Sequence, residues 1–238
     1  MKFAVIKKKV IITVMLLCVS AVLCVFLLTK WSEPASAVPK LGKTVVIDAG
    51  HGGIDGGVTG SVTGVREADI NLAIAKSLKH FFERNGYDVV MTRVNENGLY
   101  DKGATSKKLS DMQARKKIIE KATPNLIISV HQNYYPLSSV KGAQVFYNGE
   151  SEDGKTVAES MQKTLNGALS CERVAKSGDY YILNCTQYPS VIAECGFLSN
   201  AEEESKLVQA EYQEKIAYSI FSAAHEYLTG DEIKCEHN

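Results

Sequence analysis

From Lys43 onward, short apolar runs alternate with segments whose apolar residues recur at helical spacing. No other feature constrains the fold as tightly, because runs of 4–5 residues suit buried strands and a 3.6-residue repeat suits helices with one buried face. Residues 44–47 read as a buried strand. Ile70, Ile74, Leu78, Phe81 and Phe82 mark a helix, and Asn85-Gly86 gives it a stop. A strand over 88–92, a helix over 110–122 with Met112, Ile118 and Ile119 as apolar positions, and a strand over 126–130 follow. Residues 143–147 read as a strand and 154–169 as a helix. Short strands are expected over 180–183 and 191–193, and a last helix over 210–228. This alternation predicts an α/β fold: a three-layer α/β/α arrangement around a central, twisted, mostly parallel (mixed) sheet, in a single domain over residues 43–230.

The N-terminus is of different character. Lys2, Lys7, Lys8 and Lys9 precede an uncharged 19-residue run, residues 10–28, close to the ~20 residues that span a bilayer as a helix. The run has no polar face, which disfavours a buried core helix, and the preceding positive charge places the rest of the chain outside. Residues 1–30 are therefore expected to be a signal or transmembrane segment and the protein to be exported. Ala35-Ser36-Ala37 fits a cleavage site, so membrane anchoring and signal cleavage both stay open. Residues 31–42, with Pro34 and Pro39, read as a linker, and 231–238 as a polar tail. Lys+Arg and Asp+Glu both number 27; with no basic excess, no nucleic-acid partner is expected. Of the cysteines outside the apolar run, Cys171, Cys185, Cys195 and Cys235 match no metal-binding spacing. Export permits a disulfide, with Cys171 and Cys185 the nearest pair, but free thiols are an equal expectation.

Ligand sites in open α/β sheets form beyond the carboxyl ends of strands. His51, His131 and Glu194 each stand just past an expected strand, and Glu67 opens the helix after a glycine-rich loop. Each alone has an ordinary reading as a loop residue, a strand end or a helix-start acid. If the strands are parallel neighbours, the four converge. Two imidazoles and one carboxylate make a shell for one Zn2+ with an open position for water, leaving the other carboxylate to act on that water. The loop Gly50-His51-Gly52-Gly53-Ile54-Asp55-Gly56-Gly57 lets backbone approach such a site, and it lacks the spacing of a phosphate-binding loop. His80 and His225 fall in expected helices and His237 in the tail, away from this set.

At these positions the chain resembles the zinc-dependent N-acetylmuramoyl-L-alanine amidases of the type 3 family. The matching stretches are Val45-Val46-Ile47-Asp48-Ala49-Gly50-His51-Gly52-Gly53, Arg66-Glu67-Ala68-Asp69-Ile70-Asn71-Leu72, Ile128-Ser129-Val130-His131-Gln132-Asn133 and Ala193-Glu194-Cys195-Gly196-Phe197-Leu198-Ser199-Asn200. The resemblance implies that His51, Glu67 and His131 hold zinc and that Glu194 is the catalytic glutamate. It implies hydrolysis of the amide between N-acetylmuramic acid and L-alanine, with peptidoglycan as substrate. The single-domain form with an N-terminal apolar segment is most similar to the sporulation type of the family. That similarity implies a role in spore-cortex muramic δ-lactam formation, action in the forespore intermembrane space, and an accessory sporulation protein. Ala49 departs from the proline usual before Gly-His-Gly-Gly, which relaxes a turn without removing a ligand. Asp48 and Asn133 are candidates to orient a histidine, with a strand-end turn residue and a loop residue as equal readings; Arg66 is a candidate to meet an anionic group of the substrate, with a surface ion pair as the favoured reading. Two other readings are a non-catalytic peptidoglycan-binding protein and a cysteine hydrolase using Cys195; the latter is disfavoured because neighbours in an extended segment face opposite ways.

Overall fold

A computed structural model describes residues 2–31 and 39–231, with side chains described over 10–24 and from 39 onward. The chain divides into two compact units, Met1–Pro39 and Lys40–Asn238. The first holds α1 (Lys2–Trp31), which carries the apolar run; its side chains over 10–24 are all exposed. Among the fully described residues, no helix is long and apolar enough to cross a membrane. The Ala35-Ser36-Ala37 site and residues 232–238 of the tail lie outside the described residues.

The second unit contains β1 (Thr44–Ala49), α2 (Glu67–Arg84), β2 (Asp88–Met91), α3 (Lys107–Ala122), β3 (Leu126–Asn133), β4 (Gln144–Tyr147), α4 (Glu152–Leu169), β5 (Lys176–Ser177), α5 (Tyr181–Asn184), β6 (Ser190–Phe197), α6 (Ala201–Leu207) and α7 (Ala210–Thr229). The strands form one sheet in the order β2-β1-β3-β6-β4-β5. Pairing is parallel from β2 through β6 and again between β4 and β5, while β4 runs antiparallel to β6. The sheet is thus mixed and mostly parallel.

Alternation along the strands divides the core between the two faces. Val45, Ile47 and Ala49 of β1, with Leu126, Ile128 and Val130 of β3, pack with apolar residues of α2, α4 and α7. Val46, Ile127 and Ile192 pack on the other side against Ile119 of α3 and Ile182 and Leu183 of α5. Helices therefore cover both faces, and the strands read as near-continuous apolar runs because both of their sides are buried.

Two expectations are corrected. Residues 180–183 are not a strand: Tyr181–Asn184 forms a helical turn, closed by the Leu183 N–H donating to the Tyr180 carbonyl at 3.0 Å. A four-residue apolar run does not separate strand from helix, and here consecutive Ile182 and Leu183 are both buried on one face of the sheet. Strands β3 and β6 also extend past their expected ends, through Asn133 and Phe197. His131 and Glu194 therefore lie inside strands, directly opposite one another in the β3–β6 register. They looked like strand ends because they are polar, yet the buried residues after them, Gln132 and Cys195, continue the extended backbone.

A buried ion pair ties β1 to α3. Arg115 and Asp48 are each about 2% exposed, and the guanidinium donates to Asp48 Oδ1 at 2.6 Å. Thr92 donates to Oδ1 at 2.7 Å and Ser129 to Oδ2 at 2.6 Å. Burial pushes the Asp48 carboxyl up; the Arg115 charge and the hydrogen bonds from Ser129, Thr92 and Arg115 outweigh it and hold the pKa at about 2, below the ordinary 3.8. A carboxylate with a depressed folded-state pKa adds stability above its unfolded value and loses it as pH falls through the folded value. The window here runs from pH 3.8 down to about 2, and the contribution is about 2 kcal/mol. In urea titrations, the stability gap between the parent and Asp48→Asn is widest above pH 4 and narrows by that amount as pH approaches 2. A gap that does not change with pH contradicts this account.

Candidate metal centre

His51 sits just beyond β1 with a positive φ of 61°, a conformation uncommon for a residue with a side chain. Two buried arginines hold the backbone there. Arg93 donates through Nε to the Ala49 carbonyl and through Nη2 to the Gly50 and Ala68 carbonyls, all at 2.8 Å. Arg115 donates to the Ala49 carbonyl at 2.9 Å and the His51 carbonyl at 2.7 Å. At Gly50, a Cβ would lie 2.3 Å from the His131 ring, so only glycine lets the two chain segments approach.

Glu67 is the first residue of α2 and is 2% exposed. Its Oε1 lies 2.9 Å from His131 Nδ1 and 3.2 Å from His51 Nε2, and accepts from the Gln132 N–H at 3.1 Å and Asn71 Nδ2 at 3.2 Å. Oε2 accepts from the Val58 N–H at 2.9 Å. Burial pushes this carboxyl up, but hydrogen bonds from His131 and His51 and the charges of both rings bring it far below the usual carboxylate range. For His51, burial favours the neutral ring, while hydrogen bonding and charge from Glu67, then Asp55, raise its pKa to about 9. The two imidazoles meet edge to face with centroids 4.9 Å apart. The nearest donor atoms of His51, Glu67 and His131 all lie within 4.8 Å of one another, so these three side chains could hold one metal ion.

Glu194 faces the same cleft, a cavity of about 830 Å³ also lined by His51, Glu67, His131, Tyr100 and Tyr180. Its Oε2 is sealed from solvent and has no hydrogen-bond partner. Burial raises its pKa to about 7, with the charges of His131, Glu67 and His51 shifting it less and in opposing directions. A carboxyl poised near neutrality beside a cluster of metal-type donors is suited to taking up and releasing a proton. Two imidazole nitrogens and a carboxylate oxygen are also a donor set that zinc accepts.

The other expected site residues fall differently. Asp48 lines the cleft floor, but it faces Arg115, Thr92 and Ser129, and no histidine. Arg66 does not line the cleft; it pairs with Asp69 through Nε at 3.0 Å and Nη2 at 2.7 Å, a spacing of three residues at the start of a helix. Asn133 lines the cleft at the end of β3, and its Oδ1 accepts from the Tyr134 N–H at 2.8 Å. Cys195 is buried with the α2, α4 and α7 face of the sheet and does not line the cleft; burial first, then the Glu194 charge, pushes its thiol well above the ordinary value. Cys171 and Cys185 are free thiols. His225 Nδ1 meets the Tyr87 hydroxyl at 2.8 Å, away from the cleft.

Arg93, Arg115, Asn71 and Gln132 were not identified from the sequence. Arg115 left a signal: it stands three residues after Met112 and four before Ile119, on the apolar face of α3, where a charge must find buried partners. Arg93 and the Asn71–Gln132 contact (3.2 Å) left none.

Residues 45–226 match the family described as N-acetylmuramoyl-L-alanine amidase. A germination-specific N-acetylmuramoyl-L-alanine amidase of Bacillus subtilis (strain 168) is 36% identical over 205 residues, covering 84% of this chain and 83% of that protein. Among solved structures, the CwlD amidase from Clostridioides difficile, in complex with the GerS lipoprotein, superposes with a TM-score of 0.76 at 37% identity, covering 79% of this chain and 100% of that one. The catalytic domain of CwlV, an N-acetylmuramoyl-L-alanine amidase from Bacillus (Paenibacillus) polymyxa var. colistinus, gives 0.70 at 31% identity, covering 78% and 98%. With its fold, its motifs and the greater part of its length in common with these proteins, the chain belongs to the N-acetylmuramoyl-L-alanine amidase family.

Proposed function

We propose that this protein is an exported, zinc-dependent amidase that hydrolyses the bond between the lactyl carbonyl of N-acetylmuramic acid and the nitrogen of L-alanine in peptidoglycan. The observation that carries this reading is the convergence of His51, Glu67 and His131 within 4.8 Å, beside a Glu194 carboxyl with an unpartnered oxygen. His51, Glu67 and His131 would hold the ion. Zinc bound there supplies Lewis-acid polarisation of the scissile carbonyl. Glu194 takes a proton from the attacking water as the new carbon–oxygen bond forms, then delivers it to the alanine nitrogen as the carbon–nitrogen bond breaks. A carboxyl group beside the metal-type donors suits both halves of that exchange. Its sealed Oε2 has no competing hydrogen bond to give up.

The similarity to a relative named as germination-specific supports a role in spore-cortex processing. The relative solved with a lipoprotein supports an accessory partner for this chain as well. The N-terminal lysines and apolar run support export, with residues 1–30 as signal or anchor, 31–42 as linker, 43–230 as catalytic domain and 231–238 as tail.

Glu194→Ala is expected to keep its metal and lose about 10²–10⁴ in rate, read as new L-alanine N-termini released from muropeptides alongside metal content. His51→Ala and His131→Ala are expected to lose metal as well, since each removes one of three protein donors. Parent-level turnover in Glu194→Ala rejects its assigned role; full metal content in both histidine variants rejects the shell. Cleavage-free binding by the metal-loaded parent would favour the wall-binding alternative. Export has its own check in non-sporulating cells made to produce the chain: protease added to intact protoplasts should degrade membrane-retained catalytic domain, or secreted domain should appear in the medium, and a chain confined and protected inside contradicts it.

A further inference from the structure

The cleft has a wall whose charge the hydrolysis does not use. Lys107 and Lys108, the first two residues of α3, both line it. Other charged groups around the cleft are occupied: Arg115 is paired with Asp48 and Asp111, Asp55 lies against His51, Asp179 accepts from Asn184, and Glu67 and Glu194 belong to the metal centre. The two lysines have no carboxylate partner among the described residues, and the one contact of this kind that either makes is that of Lys107 with an aromatic ring. They are the cationic groups of the cleft left free to meet a ligand.

The position of Lys107 is built, and Lys108 is its neighbour on the same helical turn. Lys107 Nζ lies over the Tyr100 ring, 5.6 Å from its centroid, a separation at which an ammonium is attracted to the ring face. The Tyr100 hydroxyl in turn accepts from the Ile54 N–H at 3.4 Å, in the loop that carries His51. The segment holding Tyr100 is tied to α3 by the Leu99 N–H to Asp111 and the Asp101 N–H to Ser110. The Ser106 hydroxyl already accepts from Leu109 N–H, so the side chains of 107 and 108 are what this wall offers to an anion. A carboxylate held by one or two ammonium groups forms charge-assisted hydrogen bonds, stronger than neutral ones.

Resting on the amidase reading above, we propose that Lys107 and Lys108 are specificity residues that bind a free carboxylate on the peptide side of the scissile bond, so that the enzyme favours anionic stem peptides over amidated ones. The peptide stem of peptidoglycan carries such a group on its glutamyl residue, next after L-alanine, and amidation neutralises it with little change in shape. Lys107 and Lys108 act on substrate selection, whereas Glu194 and the metal ligands act on the bond.

The test is equilibrium binding. Two soluble muramoyl-peptides, identical except for a carboxylate or a carboxamide at the glutamyl position, are titrated into zinc-loaded full chain carrying Glu194→Gln, which slows cleavage during the measurement. The carboxylate form is expected to bind roughly tenfold more tightly, the scale of one charge-assisted hydrogen bond. Adding Lys107→Gln and Lys108→Gln should erase the preference, and Lys107→Arg with Lys108→Arg should restore it. Both positions are exposed, and unchanged circular dichroism verifies that the variants fold. Equal affinity for the two peptides before the lysines are changed, or a preference that survives both glutamine substitutions, overturns the proposal. Failure of the amidase reading is seen separately: the zinc-loaded parent, with Glu194 intact, would release no L-alanine N-termini from either peptide.

Discussion

Placing the Arg115 guanidinium at the junction of β1 and α3 strips it of water, at a cost of several kcal/mol per buried ion unless the charge is matched. It is matched by Asp48 at 2.6 Å and Asp111 at 2.6 Å. Its remaining donors reach the carbonyls of Ala49 and His51. The same cation that needs these acceptors thereby dictates the path of the chain leaving β1. Arg93 shares the Ala49 carbonyl and adds those of Gly50 and Ala68, so that three consecutive carbonyls, 49 to 51, are held by the two arginines. A left-handed His51 is a local cost of about 1–3 kcal/mol that persists only where the surroundings over-determine it, and here two guanidiniums do. The direction in which the His51 ring points follows from charges buried beneath it.

Glu67 shows the same logic from the anionic side. Its carboxylate joins α2, the backbone of β3 at Gln132, the glycine-rich loop at Val58 and the two imidazoles. At Gly57 a Cβ would stand 2.3 Å from Oε2, so the loop closes on the carboxylate only because that position has no side chain. Asn71, one helical turn on, donates to both Glu67 and the Gly50 carbonyl, and Gln132 steadies Asn71 in turn. Side chains held by this many contacts are fixed in position by the core, so a donor set built from them is preorganised.

How much of this could be read in advance depends on the range of the interaction. The strand segments 44–47 and 126–130, the helices α2, α4 and α7, and the convergence of His51, Glu67, His131 and Glu194 left local marks: apolar period, glycine placement and polar residues interrupting buried runs. The termini of β3 and β6 were misjudged because His131 and Glu194 were read as ends of strands they in fact interrupt on one face only. Consecutive strand residues face opposite sides, which is why Cys195 joins the core while Glu194 faces the cleft. Residues 180–183 were misread because four apolar residues carry no period. Arg66 forms the surface ion pair that was its favoured reading, with Asp69, while Asp48 is drawn to Arg115, because a place in a motif does not say which way a side chain points. Arg93 could not have been found, since its acceptors are carbonyls, which have no residue identity to read.

The chemistry and its surroundings are held in different ways. His131 and Glu194 belong to adjacent central strands, and Glu67 to a helix packed on them, so shifting any of the three would disturb the core. Tyr100 belongs to a surface segment before α3, joined to the rest by hydrogen bonds such as that of the Gly53 N–H to the Glu96 carbonyl at 2.7 Å, and Lys107 stands on the exposed first turn of α3. Changes of residue along that segment alter what the cleft admits while leaving the metal-type donors where the sheet puts them. Loops carried on a rigid scaffold are where recognition can vary at small structural cost, and in this chain the boundary between scaffold and recognition falls between Gly57, which Glu67 needs bare, and Lys107, which no carboxylate among the described residues claims.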